Sequence, residues 1–207
     1  MTITYVVEED HLYVNMTNRC PNACGFCVRS LNERREGEAD LWLEREPTRE
    51  EILEQLKSKD LDSYRELVFC GYGEPTCRFD DLVWLCRQVR QMSCVNIRLN
   101  TNGLSDLING RSTAPELDGL LDSVSISLNA STPEKYQEIC HSRFGLAALP
   151  AILKFTKTVG LYVPKVYMTV VDNMPREEIS ACERLCRETG ATFRVRHLLD
   201  HQSYVEK

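Results

Sequence analysis

The sequence predicts an α/β fold of parallel strands and crossover helices, an incomplete (β/α)6 barrel with a polar lumen. Two patterns carry that expectation. Apolar runs of strand length alternate with segments of helical period along the 207 residues, the order a parallel sheet requires. Within several runs apolar and polar residues alternate strictly, so the sheet has one apolar and one polar face. A doubly wound sheet covered on both faces would show continuous apolar strands instead. An antiparallel sheet with one wet face is the competing architecture. Helical segments between the strands, at crossover spacing, argue against it.

Six strands are expected: Leu12 to Thr17, Leu67 to Cys70, Val95 to Asn100, Val124 to Asn129, Lys165 to Val171 and Thr192 to His197. Val124, Ile126 and Leu128 leave Ser125, Ser127 and Asn129 on the opposite face. Val95, Ile97 and Leu99 leave Asn96, Arg98 and Asn100, and Phe193 and Val195 leave Arg194 and Arg196. If the apolar set meets the helices, the polar set lines a concave interior suited to a polar ligand. Thr48 to Glu51, after Pro47, and Ser131 to Glu134 read as capping boxes that open helices. Leu82, Leu85, Cys86 and Val89 recur at helical spacing. So do Leu146, Leu149, Leu153 and Thr156, and then Ile179, Cys182 and Cys186. The charged stretch Asn32 to Glu46 reads as a solvated loop or ragged helix.

No Pro-, Gly- or Ser-rich linker divides the chain, so residues 1–207 are expected to form one domain. With 25 Lys plus Arg against 31 Asp plus Glu, the net charge is −6, and nucleic acid is not an expected partner. The first residues lack a secretory pattern and no stretch reaches membrane-span length. A cytoplasmic setting without membrane association is therefore expected. Ten cysteines in a reducing compartment point to metal ligands or core thiols rather than to disulfides.

Their spacing separates these uses. Cys20, Cys24 and Cys27 fall just after the first strand, with Gly25 between the last two to let the backbone curl round a centre. Thiolates are soft ligands for zinc or iron-sulfur clusters. Structural zinc takes four protein ligands, and no second pair with matching spacing follows. A cubane held by three cysteines leaves one iron open to another ligand. Three core cysteines adjacent by chance are the bland alternative.

The pattern Cys20-x-x-x-Cys24-x-x-Cys27, with aromatic Phe26 before the last cysteine, resembles the defining motif of the radical S-adenosylmethionine superfamily. Three further stretches are similar, in order. Gly71-Tyr72-Gly73-Glu74-Pro75-Thr76 resembles the family's Gly-Gly-Glu-Pro segment, which approaches the cofactor's amino group; Tyr72 departs from it. Asn100-Thr101-Asn102-Gly103 resembles the end of the third strand in activating enzymes of the superfamily. Ser125 to Asn129 resembles the segment that reaches the ribose or carboxylate. All four lie at C-terminal ends of expected strands, where parallel α/β folds bind ligands. The resemblance covers nearly the whole chain.

It implies a [4Fe-4S] cluster on Cys20, Cys24 and Cys27, and S-adenosylmethionine chelating the open iron. Phe26, Gly73, Glu74, Pro75, Asn100, Asn102, Ser127, Asn129, Arg194 and Arg196 are then the expected cofactor-binding set. It also implies reductive cleavage to methionine and a 5'-deoxyadenosyl radical, hydrogen abstraction from an unidentified substrate, and an electron donor such as flavodoxin or ferredoxin. Arginines on the polar face, Arg98 included, suit the cofactor carboxylate or an anionic substrate. Cys140 is a weak catalytic candidate, its bland reading being a core thiol beside surface His141. Cys182 and Cys186 share a helical face and read as core. The compact size, with Gly71 to Thr76 and Phe193 to His197, is most similar to the radical SAM proteins associated with TatD-type nucleases. Glycyl-radical activating enzymes are the second subfamily, and a non-catalytic Cys-rich metal-binding module is the reading from a different class.

Overall fold

The computed structural model describes residues 1–7, 10–27, 29 and 41–196. Seven strands form one sheet in sequential order: β1 (Thr4–Val6), β2 (His11–Val14), β3 (Glu66–Phe69), β4 (Asn96–Thr101), β5 (Ser123–Ser127), β6 (Lys165–Val171) and β7 (Thr192–Arg196). β2 to β7 pair in parallel, as expected. The sequence reading missed β1, which pairs antiparallel to β2 through Tyr5 and Tyr13, whose rings stack at 5.2 Å. Three residues are too few for a period-2 pattern to emerge. His197, expected in the last strand, lies outside the described residues.

Unbroken sequential order means that every crossover returns to the next neighbour, the winding of barrels rather than of doubly wound sheets. Helices α1 (Arg49–Lys57), α2 (Phe79–Met92), α3 (Ser105–Asn109), α4 (Pro133–Cys140), α5 (Ala148–Val159) and α6 (Arg176–Arg187) supply the connections. A coupling between distant strands reports the curl. Arg196 on β7 and Cys70 at the end of β3 influence each other's ionisation. In a flat sheet these strands, four positions apart, would be separated by about 19 Å at ~4.8 Å per strand.

Alternation sorts the faces as read. Ile97, Leu99, Val124, Ile126, Met168 and Val170 are fully buried against the helices, while Arg98, Asn100, Ser125 and Ser127 stay partly open. α2 buries Phe79, Leu82, Val83, Leu85, Cys86 and Val89 along one stripe, so Leu82→Ala would cost about 2–5 kcal/mol. α5 is turned from the expected face. Leu146 is 54% exposed, and Leu149, Ile152, Phe155, Thr156 and Val159 form the buried stripe. α6 buries Cys182 and Cys186 in the core.

The first capping box is present: Thr48 accepts from the Glu51 amide, and the Glu51 carboxylate accepts from the Thr48 amide, worth about 1 kcal/mol. The second differs from expectation. Thr132, not Ser131, caps α4 by accepting from the Lys135 amide, and Pro133 takes the first helical position. Residues 32–40 lie outside the described set, and 41–46 form a loop with Trp42, Glu44 and Arg45 exposed, as a solvated segment would be, except at one docked side chain. Leu43 is buried. Its backbone exchanges two hydrogen bonds with the Asn18 amide, at 2.7 and 3.1 Å.

Candidate cluster and cofactor site

Loops at the C-terminal ends of β2, β3, β4 and β5 meet around the three motif cysteines. The loop after β2 is tied from two sides. Thr17 and Arg19 bind the Glu46 carboxylate, Arg19 with two bonds at 2.8 and 2.9 Å. On the other side the backbone docks on the end of α4: Ala23 N donates to Cys140 O (2.9 Å), Gly25 N to Ile139 O (3.1 Å), and Arg143 N to Pro21 O (2.9 Å). Gly25 has no close neighbour among the described residues and no positive φ, so their sterics do not demand a glycine there.

The glycines after β3 are demanded. A Cβ on Gly73 would come within 2.2 Å of Thr17 O, and one on Gly71 within 2.2 Å of Asn15 Oδ1. This loop therefore lies flush against the end of β2, which brings Glu74 beneath Cys20. Tyr72 lies between the two glycines in the chain, its carbonyl accepting from Arg29 Nη1 at 3.5 Å.

Glu74 is buried and both carboxylate oxygens take donors from the chain. Oε1 accepts from Thr76 N (3.1 Å), Thr76 Oγ1 (2.7 Å) and Thr101 Oγ1 (2.7 Å), and Oε2 from Asn102 N (2.7 Å). Burial raises its pKa against these donors. Pro75, also buried, opens the short 3-10 turn Pro75–Arg78 that follows. Glu74 thus clips the β3 loop to the β4 loop, and the clip positions Asn102. The Asn102 amide stands 3.9 Å from Cys20 Sγ, its Oδ1 accepting from Leu104 N at 2.9 Å.

Three half-buried thiols are a soft donor set suited to iron-sulfur ligation. Burial pushes Cys20 up to about 11 and raises Cys27, with the Arg29 charge pulling the other way. Cys24 is raised first by a hydrogen bond with Cys140 and then by burial. The apo thiols are therefore neutral at physiological pH, and ligation must expel their protons. No three His, Cys, Asp or Glu side chains among the described residues converge on a single metal ion. Ligands that each bind a different iron of a cube need no such convergence.

A cleft of ≈ 240 Å³ opens beside the cysteine loop, lined by Phe26, Asn129, Ile139, Val171, Asn173, Met174 and Pro175. A larger hollow of ≈ 310 Å³, lined by Leu56, Asp62 and Ser93 among others, lies at the N-terminal ends of the strands, away from the thiols. Asn129 reaches the cleft by a route that alternation did not foresee. β5 ends at Ser127, and Asn129 follows in the left-handed region at φ 60°, a conformation asparagine tolerates better than most residues. Ser127 remains on the strand, paired with Thr169 and half-buried.

On the inner face Arg98, Asn100 and Asn129 each keep a buried polar atom with no partner among the described residues: Nε, Oδ1 and Oδ1 respectively. Unmet groups of this kind cost about 1–3 kcal/mol each, so the face is suited to a polar ligand. Arg98 lies nearer the N-terminal end than expected for a cofactor contact, 3.3 Å from Glu66. Arg194 packs its guanidinium 3.5 Å from the Tyr167 ring centroid. More than a third of Arg196 is open to solvent, yet crowding of its guanidinium by neighbouring atoms lowers its pKa. The open rim accounts for the first and the inner wall for the second. Neither arginine is buried as the alternation implied.

Sequence reasoning missed a buried polar group behind the cysteine loop. Cys140 is fully buried, and its thiol meets the Cys24 thiol, Asn129 Nδ2 (3.7 Å) and the Tyr136 hydroxyl. Tyr136, fully buried, also accepts from Asn22 Nδ2 at 2.9 Å. One signal was present: Tyr136 and Cys140 are spaced i, i+4 and share a helical face.

Residues 14–186 match the model of the Radical SAM superfamily, and the chain belongs to that superfamily. Its members are enzymes that bind a [4Fe-4S] cluster and S-adenosylmethionine. Among solved structures the fold is similar to a radical SAM methyltransferase from Sphaerobacter thermophilus, at TM-score 0.63 and 16% identity over 93% of this chain and 68% of that one. It is also similar to the FeFe-hydrogenase maturase HydG from Carboxydothermus hydrogenoformans, at TM-score 0.60 and 17% identity over 95% of this chain and 46% of that one. At these identities the likeness carries the fold alone. The chain spans about two thirds of the first structure's length and under half of the second's. Comparison with curated proteins returns no match. Among the described residues no helix is long and apolar enough to cross a membrane.

Proposed function

We propose that this chain is a catalytic radical SAM core, spanning residues 1–207, in which Cys20, Cys24 and Cys27 hold the [4Fe-4S] cluster. When bound, the cluster supplies the electron that splits S-adenosylmethionine into methionine and a 5'-deoxyadenosyl radical, which takes a hydrogen atom from substrate. The observation that carries this reading is the Glu74 clip. Four donors from the β3 and β4 loops hold one buried carboxylate, and the same clip brings the Asn102 amide to Cys20 Sγ. A stabilised donor facing a sulfur suits a thiolate ligand better than a core thiol.

The other residues take roles in line with their positions. Glu74 acts through loop shape, since its oxygens are engaged by the chain. Phe26 and Asn129 line the cleft that receives part of S-adenosylmethionine, with Gly73, Pro75, Asn100 and Ser127 shaping its approach. Arg194 and Arg196 offer charge-assisted contacts to the cofactor carboxylate or to an anionic substrate. The compact TatD-associated radical SAM proteins are the subfamily this reading favours, on Gly71 to Thr76 and Phe193 to His197. A TatD-type nuclease partner, a flavodoxin or ferredoxin reductant and a cytoplasmic setting go with it.

Anaerobic reconstitution tests the reading. The wild-type chain is expected to hold about four iron atoms, matching one cubane, and to form 5'-deoxyadenosine when reduced. Substituting Cys20, Cys24 and Cys27 together with Ala abolishes both. Zinc in place of iron, or a triple variant that keeps its iron and visible absorbance, overturns the assignment.

A further inference from the structure

Behind the cysteine loop, at the end of α4, Cys140 is a thiol that no step above uses. It is fully buried and its surroundings orient it. Asn129 Nδ2 points at its sulfur from 3.7 Å, and the Tyr136 hydroxyl, itself held by Asn22, meets it from the preceding helical turn. The remaining neighbour is Cys24, and in the metal-free chain its thiol is the donor of the pair, which raises Cys24 and lowers Cys140. The backbone fixes this approach independently of the side chains. The bonds from Ala23 N to Cys140 O and from Gly25 N to Ile139 O bracket Cys24 and pin its loop to the last turn of α4.

Consider that arrangement once Cys24 is a thiolate ligand. A ligating sulfur has no proton and accepts hydrogen bonds. Asn129 presents an N–H to Cys140, so the Cys140 sulfur is the acceptor in that contact, and its own S–H remains to be donated. The Tyr136 hydroxyl also donates to that sulfur, which leaves Cys24 as the acceptor. Hydrogen bonds to cluster sulfurs draw electron density from them and stabilise the more negative, reduced state. Full burial strengthens the effect, because no water competes for the acceptor.

We propose that Cys140 donates an S–H hydrogen bond to the Cys24 sulfur and thereby sets the reduction potential of the cluster. The proposal rests on the reading of Cys24 as a ligand. Cys140 is then a positioning and tuning residue that acts through Cys24 and touches neither cofactor nor substrate. Asn129 gains a second task, since its amide orients the donor while its other atoms line the cleft.

The test is a redox titration of the reconstituted full chain with dithionite, followed by the electron paramagnetic resonance of the reduced cluster. Wild type, Cys140→Ala and Cys140→Ser are compared at matched iron content. Cys140→Ala, which has no donor, is expected to titrate at a more negative potential than wild type. Cys140→Ser, which keeps an O–H donor, is expected to return most of the shift. Coincident potentials for wild type and Cys140→Ala overturn the proposal. So do equal shifts in Ala and Ser, which would report altered packing and not a lost donor. If Cys140→Ala fails to load iron, the near-isosteric pair Cys140→Thr and Cys140→Val makes the same comparison. Iron loss in every donorless variant would make Cys140 a loop anchor only and end the proposal. A wild-type chain that holds no cluster removes the acceptor, and that failure is visible before any variant is made.

Discussion

Around Cys20 the ends of β2, β3 and β4 are cross-tied by buried groups: Glu74 with its four donors, Asn102 on the sulfur, and Gly73 flush against Thr17. Across the mouth, β7 offers Arg194 and Arg196 with more than a third of each open to solvent, and Val195 on its other face is 47% exposed. The first region spends its polar groups on itself, and the second leaves them available. A cluster needs fixed ligands before it arrives, whereas a polar ligand needs groups that are still unpaired when it binds. The contrast therefore divides the site into a prebuilt cradle and an adaptable wall, and mutations on the two sides should fail in different ways.

The largest effect is expected at the clip. Glu74→Ala removes the acceptor for Thr76, Thr101 and Asn102 in a buried loop. At about 1–3 kcal/mol per orphaned group, partly relieved by entering water, the loss is roughly 3 kcal/mol. For a chain of this length that lowers the Tm by about 6–12 °C. Iron content should fall as well, because Asn102 loses its anchor. Glu74→Gln, which keeps the shape and one good acceptor, should lose less of both. Thermal melts and iron assays on the two variants check this. An Ala variant that melts and loads iron like wild type would show that the cradle does not depend on the clip.

The opposite signature is expected on the open wall. Arg194→Gln with Arg196→Gln should leave the melting temperature and iron content close to wild type, since exposed substitutions usually stay within about 0.5 kcal/mol. Turnover should drop about tenfold or more, because one lost charge-assisted contact is worth ~1.5–3 kcal/mol. The cation–π contact of Arg194 with Tyr167 adds little at an exposed position. Unfolding of the double variant would mean that these arginines belong to a structural network and would erase the contrast. Full turnover would move the ligand to another part of the lumen.

The same division marks what could be read from the amino-acid order. Val124, Ile126 and Leu128 announce their buried face by spacing alone, and all three are fully buried. The cysteine triplet is equally local, because its three thiols share one loop. Asn22 and Tyr136 are 114 positions apart, and nothing in either neighbourhood anticipates their contact. It follows from α4 docking on the β2 loop, which is a tertiary event. Asn129 lines the cleft beside the cysteine loop, but by a route that the alternation does not describe. Strand alternation predicted its direction, but the strand stops at Ser127 and a left-handed turn delivers the side chain. Val195 failed in the reverse sense. Its alternation is correct, but burial requires a covering element as well as a period.

The smallest effect sharpens the comparison by asking what holds the open side together. Glu178 on α6 is buried and accepts from the Ser131 amide at 2.7 Å and from Lys135 Nζ, so it ties α6 to the turn between β5 and α4. Burial alone would raise its pKa, but the Lys135 and Ser131 bonds outweigh that and hold it below 4.5. A depressed carboxylate pKa stabilises the fold above the unfolded value of about 4.3, and that contribution disappears as pH falls through the folded value. Lys135 is half exposed and its share is screened by solvent, so most of the effect comes from the Ser131 bond. Glu178→Gln should therefore cost about 1 kcal/mol near pH 7, or about 2–4 °C in Tm. The gap between variant and wild type should narrow as pH falls from about 4.3 through the lower folded value, where the wild-type carboxylate takes up its proton and both side chains are neutral. Iron content should not change, because among the described residues no hydrogen bond joins α6 to the cysteine loop. A gap independent of pH would show that Glu178 contributes by packing. A fall in iron would join α6 to the cradle and dissolve the division between prebuilt and adaptable sides.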